Sequence, residues 1–406
     1  MDWQTLSDRL KAMGMQLGKD QLLQPIQKLS YPIETVVPGT FEETIHGQAF
    51  CLNEVYTYDY THGNAQLLPT QSLAILAHWA RAPHIHNEQL HNIVFLDTET
   101  TGLSGGTGTM AFMIGVGRYT AEGFMLAQYF MRHPGEEPAL LAALTRFLDP
   151  LDAVVTYNGK SFDIPLLNTR YILQGFSTPF PEVAHFDLLA LARRLWRDRL
   201  ESCTLGNIEH EILGVSRNEE EVPGYLIPEM YGDYLRSGDA RPMKGIFYHN
   251  AIDILSLAAL FAHTADLLAV PLERPEHNGI DLAAIGKLFH ALGYDDIATA
   301  IFEESIQREL PLDIFCKTLM HFAGIYKRQG NYPSATVLWE KAAQIGQPEA
   351  CEELAKYYEH YARDYAQAIS WTQKGMELTV LDREWQERLV YRMERLERKK
   401  NKSLKN

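Results

Sequence analysis

Five side chains of this 406-residue chain have the types and spacing to do chemistry together: Asp97, Glu99, Asp163, His249 and Asp253. Asp97 and Glu99 sit in the run Ile93-Val-Phe-Leu-Asp-Thr-Glu-Thr-Thr-Gly102. Its short β-branched and aromatic stretch, ending at glycine, reads as a buried strand. Residues i and i+2 of a strand face the same way, so the two carboxylates project side by side and Thr98 turns to the other face. Carboxylates held that close repel, and the usual remedy is a hard divalent cation. Two solvated acids at a strand end before a hairpin would give the same sequence. Gly102, Gly105, Gly106 and Gly108 follow, and allow a sharp turn with backbone close to a ligand. Asp163 ends Asn158-Gly-Lys-Ser-Phe-Asp163, between a short strand and a helix, where ligands bind in open α/β sheets. An Asp there also suits a helix N-cap. His249 and Asp253, four apart on a predicted helix, share one face, as a simple surface hydrogen bond would also require. Together, four acids and a general base suit two-metal phosphodiester hydrolysis, in which cations roughly 3.5–4 Å apart bind the attacking water and the leaving oxygen. Oxygen ligands suit Mg²⁺ or Mn²⁺, and a histidine of pKa about 6.5 can take the proton from the water.

The elements that must position these groups follow from periodicity. Strands are expected within 93–102 and over 110–116, 124–130 and 153–157, and helices over 138–147, 164–173, 203–214 and 248–262. His185-Phe-Asp187 is a further strand end entering a helix, with Asp187 as cap or supporting group, and 218–224 is an acidic surface loop. Antiparallel strands followed by alternating helix and strand describe an α/β domain with a mixed sheet over 91–270. Residues 1–90 flank or complete it. They offer an amphipathic helix over 3–15, extended chain with Pro32 and Pro38, a hairpin over 44–60 around a His-Gly turn, and a short helix over 71–82. A linker over 271–280, with Pro271, Pro275 and Gly279, leads to a purely helical region over 281–395 and a basic tail over 396–406. In that region Ala298-Thr-Ala-Ile301, Ala335-Thr-Val-Leu338 and Ala368-Ile-Ser-Trp371 recur at intervals of 37 and 33 residues. Each follows a turn, at Gly293, Gly330–Asn331 or Arg363–Asp364. The pattern is that of tetratricopeptide-type helical pairs, with a plain helical bundle as the alternative; such repeats bind partners on a concave face.

The segments Phe95-Leu-Asp-Thr-Glu-Thr-Thr-Gly-Leu103, Tyr157-Asn-Gly-Lys-Ser-Phe-Asp163 and His249-Asn-Ala-Ile-Asp253 resemble the three motifs of the DnaQ-like (DEDD) 3′–5′ exonucleases, over roughly residues 90–265. The sequel Ser104-Gly-Gly-Thr-Gly-Thr-Met-Ala-Phe112 is most similar to the bacterial YprB, or mitomycin repair factor B, group. Its members join a ribonuclease H-like domain to C-terminal tetratricopeptide-like repeats. The resemblance implies that Asp97, Glu99, Asp163 and Asp253 ligate two Mg²⁺ or Mn²⁺ ions and that His249 is the base. It further implies DNA as substrate, repair beside a helicase, and Thr100, Asn158 and Lys160 near the scissile strand. One departure concerns the base. His-type members place it five positions before the last Asp and Tyr-type members place a tyrosine four before, whereas here His249 is at four and Tyr248 at five. His249 is taken for its pKa, with Tyr248 the alternative.

The composition, 46% apolar and 22% charged, is that of an ordinary globular protein. No run of 18 apolar residues predicts a membrane span. Cys51, Cys203, Cys316 and Cys351 lie far apart without a C-x-x-C, which predicts a reduced cytoplasmic protein lacking a zinc cluster. A net charge of −15 opposes a generally basic nucleic-acid surface, so attraction must be local, at the Arg193, Arg194, Arg197 and Arg199 cluster or the Lys/Arg-rich tail. The rival functions are an RNA-processing exonuclease of the same fold and a repeat-containing adaptor that has lost activity.

Overall fold

The computed structural model describes residues 31–102, 108–273 and 278–403; the helix expected over 3–15, the loop at Gly105 and Gly106, and part of the expected linker, with Pro275, lie outside them. Among the described residues there are nine strands: β1 (Thr40–Thr44), β2 (Gly47–Tyr56), the short hairpin β3 (Thr61–His62) and β4 (Ala65–Gln66), β5 (Ile93–Thr100), β6 (Ala111–Tyr119), β7 (Phe124–Phe130), β8 (Ala153–Thr156) and β9 (Ala184–Asp187). Seven form one sheet in the order β1-β2-β7-β6-β5-β8-β9. Pairing is antiparallel from β1 to β5 and parallel across β5-β8-β9, the mixed ribonuclease H-like sheet. The hairpin expected over 44–60 is β1 and β2, and through β7 it completes the sheet rather than standing beside it. Between Pro32 and Pro38 the chain makes a one-turn helix, Ile33–Val36, where extended chain was expected; only the residue before a proline is biased against helix, and Ile33 to Val36 follow one.

β5 explains why the sheet needs two helical layers. Ile93 and Phe95 are buried on one face, Val94 and Leu96 on the other, so the strand is apolar throughout instead of alternating. The first face packs under the helices Leu188–Trp196 and Met243–Ala269, and the second under Glu137–Leu148, Asp163–Leu173 and Ile227–Ser237. Met243–Ala269 is long and apolar enough by length and composition to cross a membrane, but 78% of its most apolar window is buried inside the protein, so its hydrophobicity is that of a core helix.

The C-terminal region consists of three helical hairpins and a closing helix: Gly279–Ala291 with Asp295–Ser305, Leu312–Arg328 with Tyr332–Gln344, Pro348–His360 with Tyr365–Leu378, then Arg383–Ser403. The recurring Ala298, Ala335 and Ala368 are fully buried, as small residues at close-packing positions should be. The turns fall at Gly293, Gly330 and Arg363, all at positive φ, with Asn331 and Asp364 capping the helices that follow. Residues 396–403 continue the last helix. The two regions share one apolar core that runs from the sheet into Leu282, Ile285 and Phe289. Arg199 Nε also donates to Asp281 at 2.8 Å across the joint.

At the centre, the Phe261 ring meets Phe95 and Phe186 edge-on at 5.5 and 5.4 Å. Phe261→Ala removes a fully buried ring between sheet and helix and should lower stability by about 3–5 kcal/mol in urea unfolding. A loss under about 1 kcal/mol would mean that the helix does not hold the sheet through this contact.

Candidate active site

The register of β5 carries the site. Asp97 and Glu99 share the face of Ile93 and Phe95, which looks onto the helix Met243–Ala269, while Thr98 looks onto the opposite layer. From that helix His249 Nε2 lies 3.7 Å from Glu99 Oε1 and 3.5 Å from Asp253 Oδ2. Donor atoms of Glu99, His249 and Asp253 all fall within 4.8 Å of one another, so His249 and Asp253 are not a surface pair. Asp163 opens the helix Asp163–Leu173, whose N-cap residue is Phe162. Its carboxylate accepts the Thr98 hydroxyl at 2.5 Å and hydrogen bonds from the backbone of Thr98 and of Asp163 itself, so it reaches the cluster from the other layer. β5 slips register against β6 at Glu99/Thr100, a bulge that re-aims the strand where the acids emerge.

Asp97 has a dedicated support. Asn250 Nδ2 donates to Asp97 Oδ2 at 3.0 Å, and Asn250 Oδ1 accepts from Gln128 at 3.0 Å. Asn250 fits because the residue paired with Asp97 on β6 is Gly115, where a Cβ would come within 2.2 Å of Asn250 Oδ1. The glycine serves the side chain above it rather than any turn.

Two groups outside the sequence motifs, Arg217 and Glu221, complete the site. Arg217 bonds Glu209 with both Nε, at 2.7 Å, and Nη2, at 2.6 Å, reaches Glu221 at 2.8 Å, and also pairs with Asp253. Glu221, expected in a solvated loop, accepts from His249 Nδ1 at 2.7 Å. That oxygen is nearer to Nδ1 than Arg217 Nη1 is, at 3.3 Å, which assigns the neutral ring's proton to Nδ1 and leaves Nε2 facing the acids. Glu209 is carried inward by a π-turn, Glu209–Leu213, closed by Gly214 at φ 67°. The Asn-Glu-Glu-Glu run read as surface, and only the fold folds it back over the histidine.

Tyr248, one residue away, faces elsewhere: its hydroxyl accepts the Asn218 amide at 3.0 Å. Thr100 is buried and its hydroxyl donates to Gly102 O at 2.8 Å. Asn158, at φ +67°, and Lys160 are exposed at the end of β8, with their backbone amides on Asp187 at 2.9 and 3.3 Å. Asp187 also caps Leu188–Trp196 through Leu189 N, so it positions this loop and stays out of the cluster.

The electrostatics of the cluster are unbalanced. Asp97, Glu99, Asp163, Asp253, Glu209 and Glu221 are opposed, among the described residues, by Arg217 and His249. Burial, then the neighbouring carboxylates Asp253, Glu99 and Asp163, hold Asp97 far above the usual range. Burial also pushes Glu99 up to about 7 and Asp163 up to about 6. For His249 burial works downward but is outweighed by Asp253, Glu99 and Glu221, so its pKa is raised. Glu221 Oε2 is buried without a hydrogen-bond partner. Clustered carboxylate oxygens, an excess of buried negative charge and an orphaned carboxylate oxygen fit hard divalent cations.

The RNase_H_2 family of the RNase_H superfamily matches residues 94–265, which hold all five groups. Over 362 residues the chain is 31% identical to the uncharacterized protein YprB of Bacillus subtilis (strain 168), covering 86% of each chain. Among solved structures, a family B DNA polymerase from the hyperthermophilic archaeon Pyrobaculum calidifontis aligns with half of this chain and 29% of its own, at 18% identity and TM-score 0.31, too slight a likeness to carry an argument.

Folding raises the Glu99 pKa, so its protonated form adds stability that is present at low pH and is lost as the pH rises through about 7. In EDTA, Glu99→Gln should therefore melt about 3 °C or more above the wild type near pH 8, with the gap closing below about pH 5. An equal gap at both pH values would contradict the repulsion described here.

Proposed function

Because the chain belongs to the family of YprB and carries an RNase H-like nuclease domain, we propose that it is a metal-dependent 3′–5′ exonuclease that hydrolyses DNA. The observation that carries the proposal is the under-neutralised cluster of Asp97, Glu99, Asp163 and Asp253 with His249 at its rim. Those four carboxylates would hold two divalent cations, Mg²⁺ or Mn²⁺. When bound, such ions lower the pKa of water and stabilise charge on the leaving oxygen.

The rest belongs to this chain's own residues. Glu221 holds the imidazole by Nδ1, so the Nε2 lone pair faces the carboxylates and can take a proton from a water among them. Arg217 fixes Glu221 and Asp253, the two acids nearest the histidine. Asn250 and Thr98 orient Asp97 and Asp163. Asn158 and Lys160, exposed on the loop that leads into Asp163, are suited to the phosphate of the terminal nucleotide. DNA over RNA, a repair pathway beside a helicase, tetratricopeptide-like pairs as the docking surface and a cytoplasmic location are proposed on the motif resemblance.

The test uses 5′-labelled single-stranded DNA, duplex DNA and RNA, each with Mg²⁺, Mn²⁺ or EDTA. A metal-dependent ladder shortening from the 3′ end of DNA is expected, absent with Asp97→Ala and slowed about a hundredfold or more with His249→Gln. Full activity of purified Asp97→Ala, or no cleavage by the wild type, would refute the proposal.

A further inference from the structure

Two recesses meet beside the loop Asn158-Gly-Lys160. One, of about 340 Å³, is lined by Trp79, Arg81, Lys160 and Arg193 at the ends of β8 and β9. The other, of about 610 Å³, lies between the helix Leu188–Trp196 and the first hairpins of the C-terminal region and is lined by Arg193, Arg194, Arg197, Lys287 and Lys317. Ala190 and Arg193 belong to both, so the two form one groove. It starts at the loop that leads into Asp163 and ends on the helix Leu312–Arg328.

We propose that this groove binds the phosphodiester backbone of a single nucleic-acid strand and feeds its 3′ end to the carboxylate cluster; the inference rests on the exonuclease reading above. Charge is the first argument. In a chain of net charge −15, the groove gathers seven lysines and arginines against two acids, Asp187 and Asp198. Asp187 is engaged by backbone amides, and Asp198 is shared loosely by Arg197 and Lys287 at 3.7 and 3.6 Å. Arg193, at the junction, donates no hydrogen bond and joins no ion pair among the described residues, although it is exposed. The rival basic feature is differently used: Arg395 and Lys399 of the last helix pair with buried Glu359 at 2.6 and 2.8 Å, and Arg388 with Glu352 at 2.7 Å.

Chemistry is the second argument. Guanidinium groups spaced along a helix match successive phosphates, and a half-exposed tryptophan at the entry offers a stacking face for a base. The helical region then extends the catalytic site, and a long strand is held where a short one is not.

The triple variant Arg193→Gln, Arg197→Gln and Lys317→Gln touches none of the cluster residues. Fluorescence anisotropy with labelled oligothymidylates of about 4 and about 20 nucleotides, in Ca²⁺ across a salt series, reads the groove directly. Hydrolysis of the p-nitrophenyl ester of thymidine 5′-phosphate, too short to enter the groove, reads the cluster. The long strand should bind the variant about tenfold or more weakly, with a salt slope reduced by about two. The short strand and the ester should behave as with the wild type. Equal binding of the long strand by both proteins overturns the groove, whether or not either cleaves. Weakened binding by the variant beside a wild type that hydrolyses nothing supports the groove and defeats the exonuclease reading.

Discussion

Repulsion among buried carboxylates is the constraint on which this structure turns. A strand and a helix press Asp97, Glu99 and Asp253 together, and the supports around them hold that arrangement against its tendency to spread. Asn250 reaches Asp97 only because Gly115 has no side chain, and Arg217 is clamped by Glu209 before it reaches Asp253. Each support fixes an acid in place without supplying enough positive charge to satisfy it. An architecture that keeps negative charges close through packing and hydrogen bonds fits a site for hard divalent cations.

The rest of the RNase H-like domain follows from that constraint. A strand apolar on both faces must be covered twice, and the two covering layers bring groups to both sides of its end. His249 and Asp253 arrive from one layer and Asp163 from the other, through Thr98. The candidate site is therefore where the two cores meet at the end of β5, and the helix Met243–Ala269 carries His249, Asn250 and Asp253 to it.

How much was legible in the sequence depended on range. The carboxylate pair, Asp163 at a helix start, the shared face of His249 and Asp253, and the turns at Gly293 and Gly330 were readable because strand and helix periods and turn chemistry act over a few residues. Arg217, Glu221 and Asn250 were not. Glu221 lies in an acidic run that periodicity assigns to solvent, and only the folding back of that loop brings it to His249. Asn250 was hidden inside the His249–Asp253 segment, and the signal that could have found it, Gly115 directly across from Asp97, exists only once strand register is known. Of the two residues that the spacing left open, His249 turns toward the acids and Tyr248 toward Asn218, since adjacent helical residues point about 100° apart. Charge separates in the same way: the acids concentrate under the histidine, while the arginines of Leu188–Trp196 gather on the face turned to the helical region.

The most direct measurement is anomalous diffraction from crystals of the intact chain soaked in Mn²⁺. The account predicts manganese peaks within ligand distance of Asp97, Glu99 and Asp253, with Asp163 contributing to the same pair of ions and Arg217 released from Asp253 or sharing it. Crystals whose carboxylate cluster carries no manganese at saturating concentration, with Arg217 still its only cation, would contradict it.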